Sequence, residues 1–299
     1  MQLNAYAKVN LGLDITGKRD DGYHELNMVM QTISIRDVIT LEVNPETMGS
    51  TEMGTIMLTC SDRSVGKKED NLAYKAAKLL YEEFQITDHL DIDIEKNIPI
   101  AAGLGGGSAD AAAVLRGLNE FLGLDLTNEE LIERAAKIGA DVPFCISGGT
   151  SAAEGIGEVL CPMMTPSGLT MVLAVPDIRV STREIFEAYD KEEFKGRRPD
   201  IDNLRAAIDM EDIGCIPEFI GNVLESVTIP RYPVIKQIKD VMMASGAAGA
   251  LMSGSGPAVF GLFVDDASAE KALGAIEAMG LTDRVFLAGF VESYYGQQY

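Results

Sequence analysis

The rhythm of apolar and polar positions changes along the chain, and each change predicts an element. Residues 2–16 and 27–43 alternate or run apolar in strand fashion, with glycine-rich or charged turns between them. Asn71–Phe84 places Leu72, Ala76, Leu79, Leu80 and Glu83 at helical spacing, which predicts an amphipathic helix. Leu90–Glu95 is strand-like. Ser108 is a natural N-cap for a helix whose stripe is Val114, Leu115, Leu118 and Leu122. Thr127 and Glu130 form a capping box for a third helix, closed by Gly139. Ala140–Cys145 then leads through Gly148–Gly149 into strand-like Thr150–Ala153.

A second half begins near Cys161–Gly168, a segment with two prolines and a glycine. Leu169–Val175 has the pattern of a buried strand and Tyr232–Ala244 that of a helix. Ala247–Met252 and Ala258–Val264 are strand-like on either side of Ser253–Pro257 (SGSGP). Asp190–Asp202 is charged and proline-containing, which predicts a solvated loop. The order of elements mixes helices and strands in an α+β fashion without an internal repeat.

Composition narrows the function classes. Of the 299 residues, 46% are apolar and 24% charged, ordinary for a globular chain long enough for two domains or one large one. A net charge of −21 argues against nucleic-acid or anionic-membrane binding over the general surface. An anionic nucleotide therefore needs a local site of lysines, amides and metal. Cys60, Cys145, Cys161 and Cys215 contain no CxxC, and His24 and His89 are far apart. That spacing predicts no metal cluster and points to a reduced cytoplasmic protein with inert thiols. Lys8 and Asn10 interrupt the N-terminal stretch where a signal peptide would be apolar. No apolar run reaches the roughly 18 residues of a membrane span.

Residues 99–110, PIAAGLGGGSAD, carry the strongest chemical signal. Gly103, Gly105, Gly106 and Gly107 let backbone N–H groups turn toward a ligand, and the helix that follows adds the positive end of its dipole. Together they form a cradle for phosphate oxygens. No lysine follows the glycines, which excludes the GxxxxGK[ST] loop, and Ser108 stands where a dinucleotide fingerprint needs its third glycine. A flexible linker is the bland alternative.

Four weaker signals accompany the loop. Asp141, before Val142-Pro143, suits the positioning of an attacking hydroxyl, but a single Asp before Val-Pro is, taken alone, more often a turn or cap residue. Lys8, lone on an apolar strand, is either inward-facing and paired with an anion such as Asp141 or a phosphate, or an edge-strand guard. Tyr23-His24, after the Gly22 turn, can stack on and hydrogen-bond a base, or simply be an exposed turn. SGSGP is either a second set of amides facing a ligand or a tight hairpin.

In combination these signals resemble a known family. AYAKVNLGLDI (residues 5–15), PIAAGLGGGSADAA (99–112) and GALMSGSGPAVFGLF (249–263) are similar to the three signatures of the GHMP kinases. GKRDDGYHELNMVMQTI, KNIPIAAGLGGGSADAAAVL and GADVPFCISGGTSAAEGIGE are most similar to the branch acting on a cytidylyl sugar-alcohol diphosphate in non-mevalonate isoprenoid synthesis. The resemblance implies an N-terminal domain over 1–160, a C-terminal domain over 161–299 and an active site in the cleft between them. It implies ATP bound by Pro99, Ala101, Gly103, Leu104, Gly105, Gly106, Gly107 and Ser108, with Asn71 and Lys96 near the adenosine. Ser108 would also meet Mg²⁺. Lys8 and Asp141 match the catalytic pair and Asn10 the asparagine that helps position the same hydroxyl. Tyr23 and His24 match one wall of the cytidine site, Thr182 and Phe186 the other. Met30 departs from the pattern, standing where some members carry an aromatic residue beside the sugar alcohol. The partners implied are ATP and the small-molecule substrate, with no nucleic acid and no membrane, for a cytoplasmic monomer or homodimer. The rivals are a homoserine- or mevalonate-type kinase and a catalytically silent ligand sensor on the same scaffold.

Overall fold

The computed structural model describes residues 1–44, 54–62, 66–192, 194 and 196–294. Strands β1 (Gln2–Lys18), β2 (His24–Asn44) and β3 (Ile56–Cys60) come first, followed by α1 (Leu72–Phe84) and β4 (His89–Glu95). Helices α2 (Gly106–Leu122), α3 (Asn128–Ala136) and α4 (Val142–Ser147) precede β5 (Thr150–Gly155), β6 (Val159–Met163) and β7 (Thr170–Ala174). Next are α5 (Thr182–Lys191), α6 (Ile201–Asp209), α7 (Ile216–Phe219), β8 (Gly221–Asn222), α8 (Glu225–Arg231) and α9 (Val234–Ala244). The hairpin strands β9 (Gly249–Met252) and β10 (Val259–Phe263), then α10 (Asp266–Ala278) and β11 (Val285–Gly289), close the order. The α+β expectation holds.

Two compact units divide the chain. The first comprises Met1–Ala7, Ile35–Ile100 and Gly105–Ser147. In it β4 pairs antiparallel with β2 (Val38↔Glu95 through Asn44↔His89) and parallel with β3. Leu90, Ile92 and Ile94 of β4 are buried and the residues between them exposed, the period-two signature of a sheet with one covered face. α1 packs on α2, whose alanines 109 and 111–113 are all buried, so the two backbones approach closely. Asn71 caps α1 by accepting from the Ala73 N–H at 2.8 Å, and the Thr127–Glu130 capping box opens α3.

The second unit comprises Lys8–Ser34, Ala101–Leu104 and Gly148–Tyr299. Its four-stranded sheet has the order β11-β7-β10-β9, antiparallel throughout. Every residue of β10 is buried, as befits a central strand covered by α9 and α10. In the same unit β2 pairs with β5, β5 with β6, and β1 with β8.

Some local expectations shift. Ser108 lies inside the first turn of α2 rather than at its cap. Gly105, at φ +68°, takes that position, and its carbonyl accepts from Ala109 N–H at 2.8 Å. Without Cβ atoms, Gly106 and Gly107 enter the first turn in place of a conventional cap. Helix α3 stops at Ala136, capped by Lys137, before Gly139 is reached. Asp190–Asp202 is not one loop: Asp190 and Lys191 end α5, and Asp200 caps α6 at Asn203 N–H, 3.2 Å away. Residues 193 and 195 of that stretch lie outside the described residues.

Candidate active site

In the first unit the residues leading into the glycine-rich segment are tied to a buried charge cluster. Lys96 follows β4 directly, and its ammonium donates to Asp37 on β2 and to Asp110 on α2, the latter at 2.8 Å. Asp37 is fully buried, and its other oxygen accepts the backbone N–H groups of Asn97 and Ile98. Two backbone donors, an ammonium and a carboxylate thus hold the chain just ahead of Pro99. Asp110 is 3% exposed, and burial pushes its carboxyl up to about 7, with Asp37 adding to the rise and Lys96 opposing it. Burial alone would lower the Lys96 ammonium, yet facing Asp110 and Asp37 raises it. A Cβ on Gly106 would lie 3.1 Å from Ile98 Cγ2 and 3.4 Å from Lys96 Nζ, so Lys96 and the loop are in close packing.

Asn71, Ser108 and Asp141 belong to the same unit. The Asn71 carbonyl oxygen is spent on capping α1, which leaves its NH2 to donate. The Ser108 hydroxyl has no hydrogen bond to any described residue, so it is open to a hard cation or a phosphate. Asp141 stands one residue before α4, and its carbonyl accepts from Cys145 N–H at 3.2 Å. Its side chain is half-buried at the head of a helix whose six residues are all buried.

In the second unit Lys8 and Asn10 point the same way along β1. Lys8 is 5% exposed, and its Nζ donates to Asn10 Oδ1 at 2.8 Å, which removes the edge-guard reading. Asn10 is held in turn: its Nδ2 contacts Met28 Sδ at 3.4 Å and its backbone N–H donates to Ser253 Oγ at 3.3 Å. Ser253 Oγ donates to the Gly103 carbonyl at 3.0 Å, and Lys8 N–H to the Leu104 carbonyl at 2.9 Å. Gly103 has φ +80°, and a Cβ there would collide with the Ser253 carbonyl, so this approach is possible only for glycine. SGSGP joins β9 to β10 as a hairpin and also pins Ala101–Leu104: Ala258 N–H donates to the Ala102 carbonyl at 3.1 Å.

A separate group in that unit surrounds His24, which is 9% exposed. Its Nε2 lies 2.7 Å from Asp190 Oδ1, and its ring is 4.9 Å from that of Phe186, tilted by 38°. Asp190 and Phe186 sit one turn apart on α5. Lys18 Nζ donates to the other Asp190 oxygen at 2.6 Å. The His24 and Lys18 hydrogen bonds hold the Asp190 carboxyl below the usual carboxylate range. Tyr23 is 61% exposed on the turn made by Gly22 at φ +89°, free to lie against a flat ligand. Thr182, at the start of α5, shares a 2.8 Å hydrogen bond with Ser255 of SGSGP. Met30 is fully buried, paired with Ser151 across the β2–β5 ladder.

Within the first unit, then, Lys96 and Gly106 come together, as do Gly107 and Leu72, the first residue of α1. Within the second, Lys8, Asn10 and Gly103 converge, as do His24 and Phe186. Sequence reasoning missed Asp37, Asp110 and Asp190. Each carried a faint signal: Asp37 and Asp110 are single carboxylates in apolar runs (IRDVI, ADAAAV), and Asp190 is four residues beyond Phe186.

Models of two domains match this chain: GHMP kinases N terminal domain over residues 71–149 and GHMP kinases C terminal over 198–280. The 4-diphosphocytidyl-2-C-methyl-D-erythritol kinase of Caldicellulosiruptor saccharolyticus is 46% identical over 272 residues, 91% of each chain. The enzyme of that name from Geobacillus kaustophilus is 45% identical, covering 96% of this chain and 95% of its own. A crystal structure of 4-(cytidine 5'-diphospho)-2C-methyl-D-erythritol kinase superimposes with a TM-score of 0.79 at 32% identity, over 97% of this chain and 99% of that one. Homoserine kinase from Cytophaga hutchinsonii superimposes at 0.76 with 18% identity over 97% of each chain, a likeness of fold. Among the described residues no helix is long and apolar enough to cross a membrane.

Proposed function

The chain belongs to the GHMP kinase family, and from that premise we propose that it transfers the γ-phosphoryl group of ATP to the 2-hydroxyl of 4-diphosphocytidyl-2-C-methyl-D-erythritol. The products are the 2-phosphate and ADP. Identity of 46% along nine-tenths of the chain with a kinase of that name carries the reading. In sequence order the family's N-terminal domain would run over 1–160 and its C-terminal domain over 161–299, with residues 8–34, 101–104 and 148–160 packing in the second unit, in a cytoplasmic monomer or homodimer.

Phosphoryl transfer asks a protein for positioning and charge stabilisation more than for covalent chemistry. In this reading the amides of Gly103, Gly105, Gly106, Gly107 and Ser108 hold the phosphates, flanked by Pro99, Ala101 and Leu104. Asn71 donates its remaining amide hydrogens near the adenosine, and Lys96 braces the loop on the adenosine side. Lys8 offsets charge that develops on the transferring group, while Asn10 keeps its ammonium aimed. Asp141 orients the acceptor hydroxyl and takes its proton. Tyr23 and Phe186 stack on the cytosine, His24 hydrogen-bonds it, and Thr182 closes that wall. The open hydroxyl of Ser108 fits Mg²⁺, a hard cation that takes oxygen ligands and would neutralise charge on the phosphates.

A panel of alcohols scored by ADP release tests the substrate: turnover is expected only with the cytidylylated sugar alcohol. Consumption of homoserine or mevalonate at comparable kcat/KM would overturn it. Asp141→Asn is expected to lower kcat by roughly two decades or more while nucleotide titration stays near normal. An unchanged kcat removes Asp141 from the chemistry.

A further inference from the structure

His24 presents two ring nitrogens, and the fold commits one of them. Nε2 faces Asp190 Oδ1 at 2.7 Å. Asp190 is the partner of two donors, because Lys18 Nζ lies 2.6 Å from its second oxygen. An ionised carboxylate only accepts hydrogen bonds, so the proton between Asp190 and the ring sits on Nε2. In the neutral imidazole the remaining nitrogen, Nδ1, is then a hydrogen-bond acceptor. Nδ1 has no hydrogen-bond partner among the described residues, nor is it one of the sealed, unpartnered polar atoms of the interior. Phe186, one turn before Asp190 on α5, lies against the ring at 4.9 Å and restrains its plane.

We propose that Asp190 is a positioning residue that sets the tautomer of His24, so that the ring meets a pyrimidine with an acceptor. It then selects the exocyclic amino group of cytosine over the carbonyl that uracil carries at the same place. This rests on the reading of Tyr23, His24 and Phe186 as the base subsite. The two bases differ there by a donor in one and an acceptor in the other, and a lone pair at Nδ1 attracts the first and repels the second. Sites that hydrogen-bond a polar group discriminate strongly because the wrong partner leaves buried polar atoms unpaired.

Asp190→Asn inverts the arrangement. Lys18 retains the one remaining oxygen, the amide NH2 turns to Nε2, and the ring must carry its proton on Nδ1. The same logic, an amide in place of a carboxylate imposing the wrong tautomer, holds for the serine-protease triad. Two measurements on the full-length protein at about pH 8, where an ordinary imidazole is neutral, test it. The first is the 15N spectrum of the imidazole, which reads the tautomer without substrate. The wild type is expected to show a protonated Nε2 and bare Nδ1, and Asp190→Asn the reverse.

The second is kcat/KM for the cytidylyl and uridylyl forms of the substrate. The wild type is expected to prefer the cytidylyl form by about a hundredfold or more. Asp190→Asn should narrow that to about tenfold or less, chiefly through KM, with KM for ATP within about twofold. Asp190→Glu, which keeps an acceptor, should restore the preference. A wild-type Nδ1–H, or an Asp190→Asn enzyme with the wild-type preference, overturns the role of Asp190 alone. A wild type that uses neither form overturns the base-subsite reading and this proposal with it, even with the expected tautomer.

Discussion

Two lysine–aspartate clusters in this molecule look alike in distance and differ in environment. Lys96, Asp37 and Asp110 are all nearly inaccessible, with side chains 7%, 0% and 4% exposed. Lys18 and Asp190 are 55% and 27% exposed. Taking charges out of water is costly, so the buried cluster holds only while each ion faces its partner. It therefore constrains the backbone ahead of Pro99 strongly and tolerates no loss. In the solvated cluster, side-chain entropy and screening cancel most of the attraction, and what remains is orientation. A short ion pair thus means rigidity in one unit and aim in the other.

The comparison is broken most forcefully at its buried end. Lys96→Met removes the ammonium that Asp37 and Asp110 share, and urea unfolding should show a loss of about 3–5 kcal/mol. A loss under about 1 kcal/mol would place that cluster in the same class as the exposed one. Next in size is Phe186→Ala, which removes the ring beside His24 from the solvated group. KM for the cytidylyl substrate should rise about tenfold with KM for ATP nearly unchanged, as expected for one lost aromatic contact. Equal effects on both substrates contradict the assignment of that wall.

Lys18→Met, at the exposed end, is expected to change unfolding free energy by no more than about 1 kcal/mol. A larger loss would show that the pair does more than orient. The smallest effect is in pH. The Asp190 carboxyl is held low in the folded state by the His24 and Lys18 hydrogen bonds. The stability it contributes is therefore present above the unfolded carboxyl value and lost as pH falls through the folded one. Below about pH 4, the melting temperature of the wild type should fall more steeply than that of Asp190→Asn, and the two slopes should agree near pH 5, between the ordinary carboxylate and imidazole ranges. Parallel slopes over the whole acid range would mean that Asp190 is not depressed.

Much of the fold was legible because its determinants are local. The capping box of α3, the alternation of β4 and the close-packed alanines of α2 all follow from residues a few positions apart. The hairpin through SGSGP was legible for the same reason. The cap of α2 was misread at Ser108 because glycine, with no Cβ, can begin a helix without a side-chain cap. Helix α10 went unread: its sequence, DASAEKALGAIEA, buries mainly alanines and one isoleucine, which draw a faint stripe. Asp190 was hidden in a charged run whose first residues belong to α5, since a solvated helix end and a solvated loop have the same composition.

The amino-acid order alone determined the family, the glycine-rich segment and the residue types set around it. Motifs are contiguous, and glycine, serine and lysine announce their chemistry without needing neighbours from elsewhere. Only the tertiary structure decided what those residues are bonded to. Lys96 meets Asp37 across 59 positions, Ser253 meets Gly103 across 150, and His24 meets Asp190 across 166. A buried ammonium or imidazole takes whichever acceptor the packed chain delivers, and that delivery depends on strand register and helix phase summed over many residues.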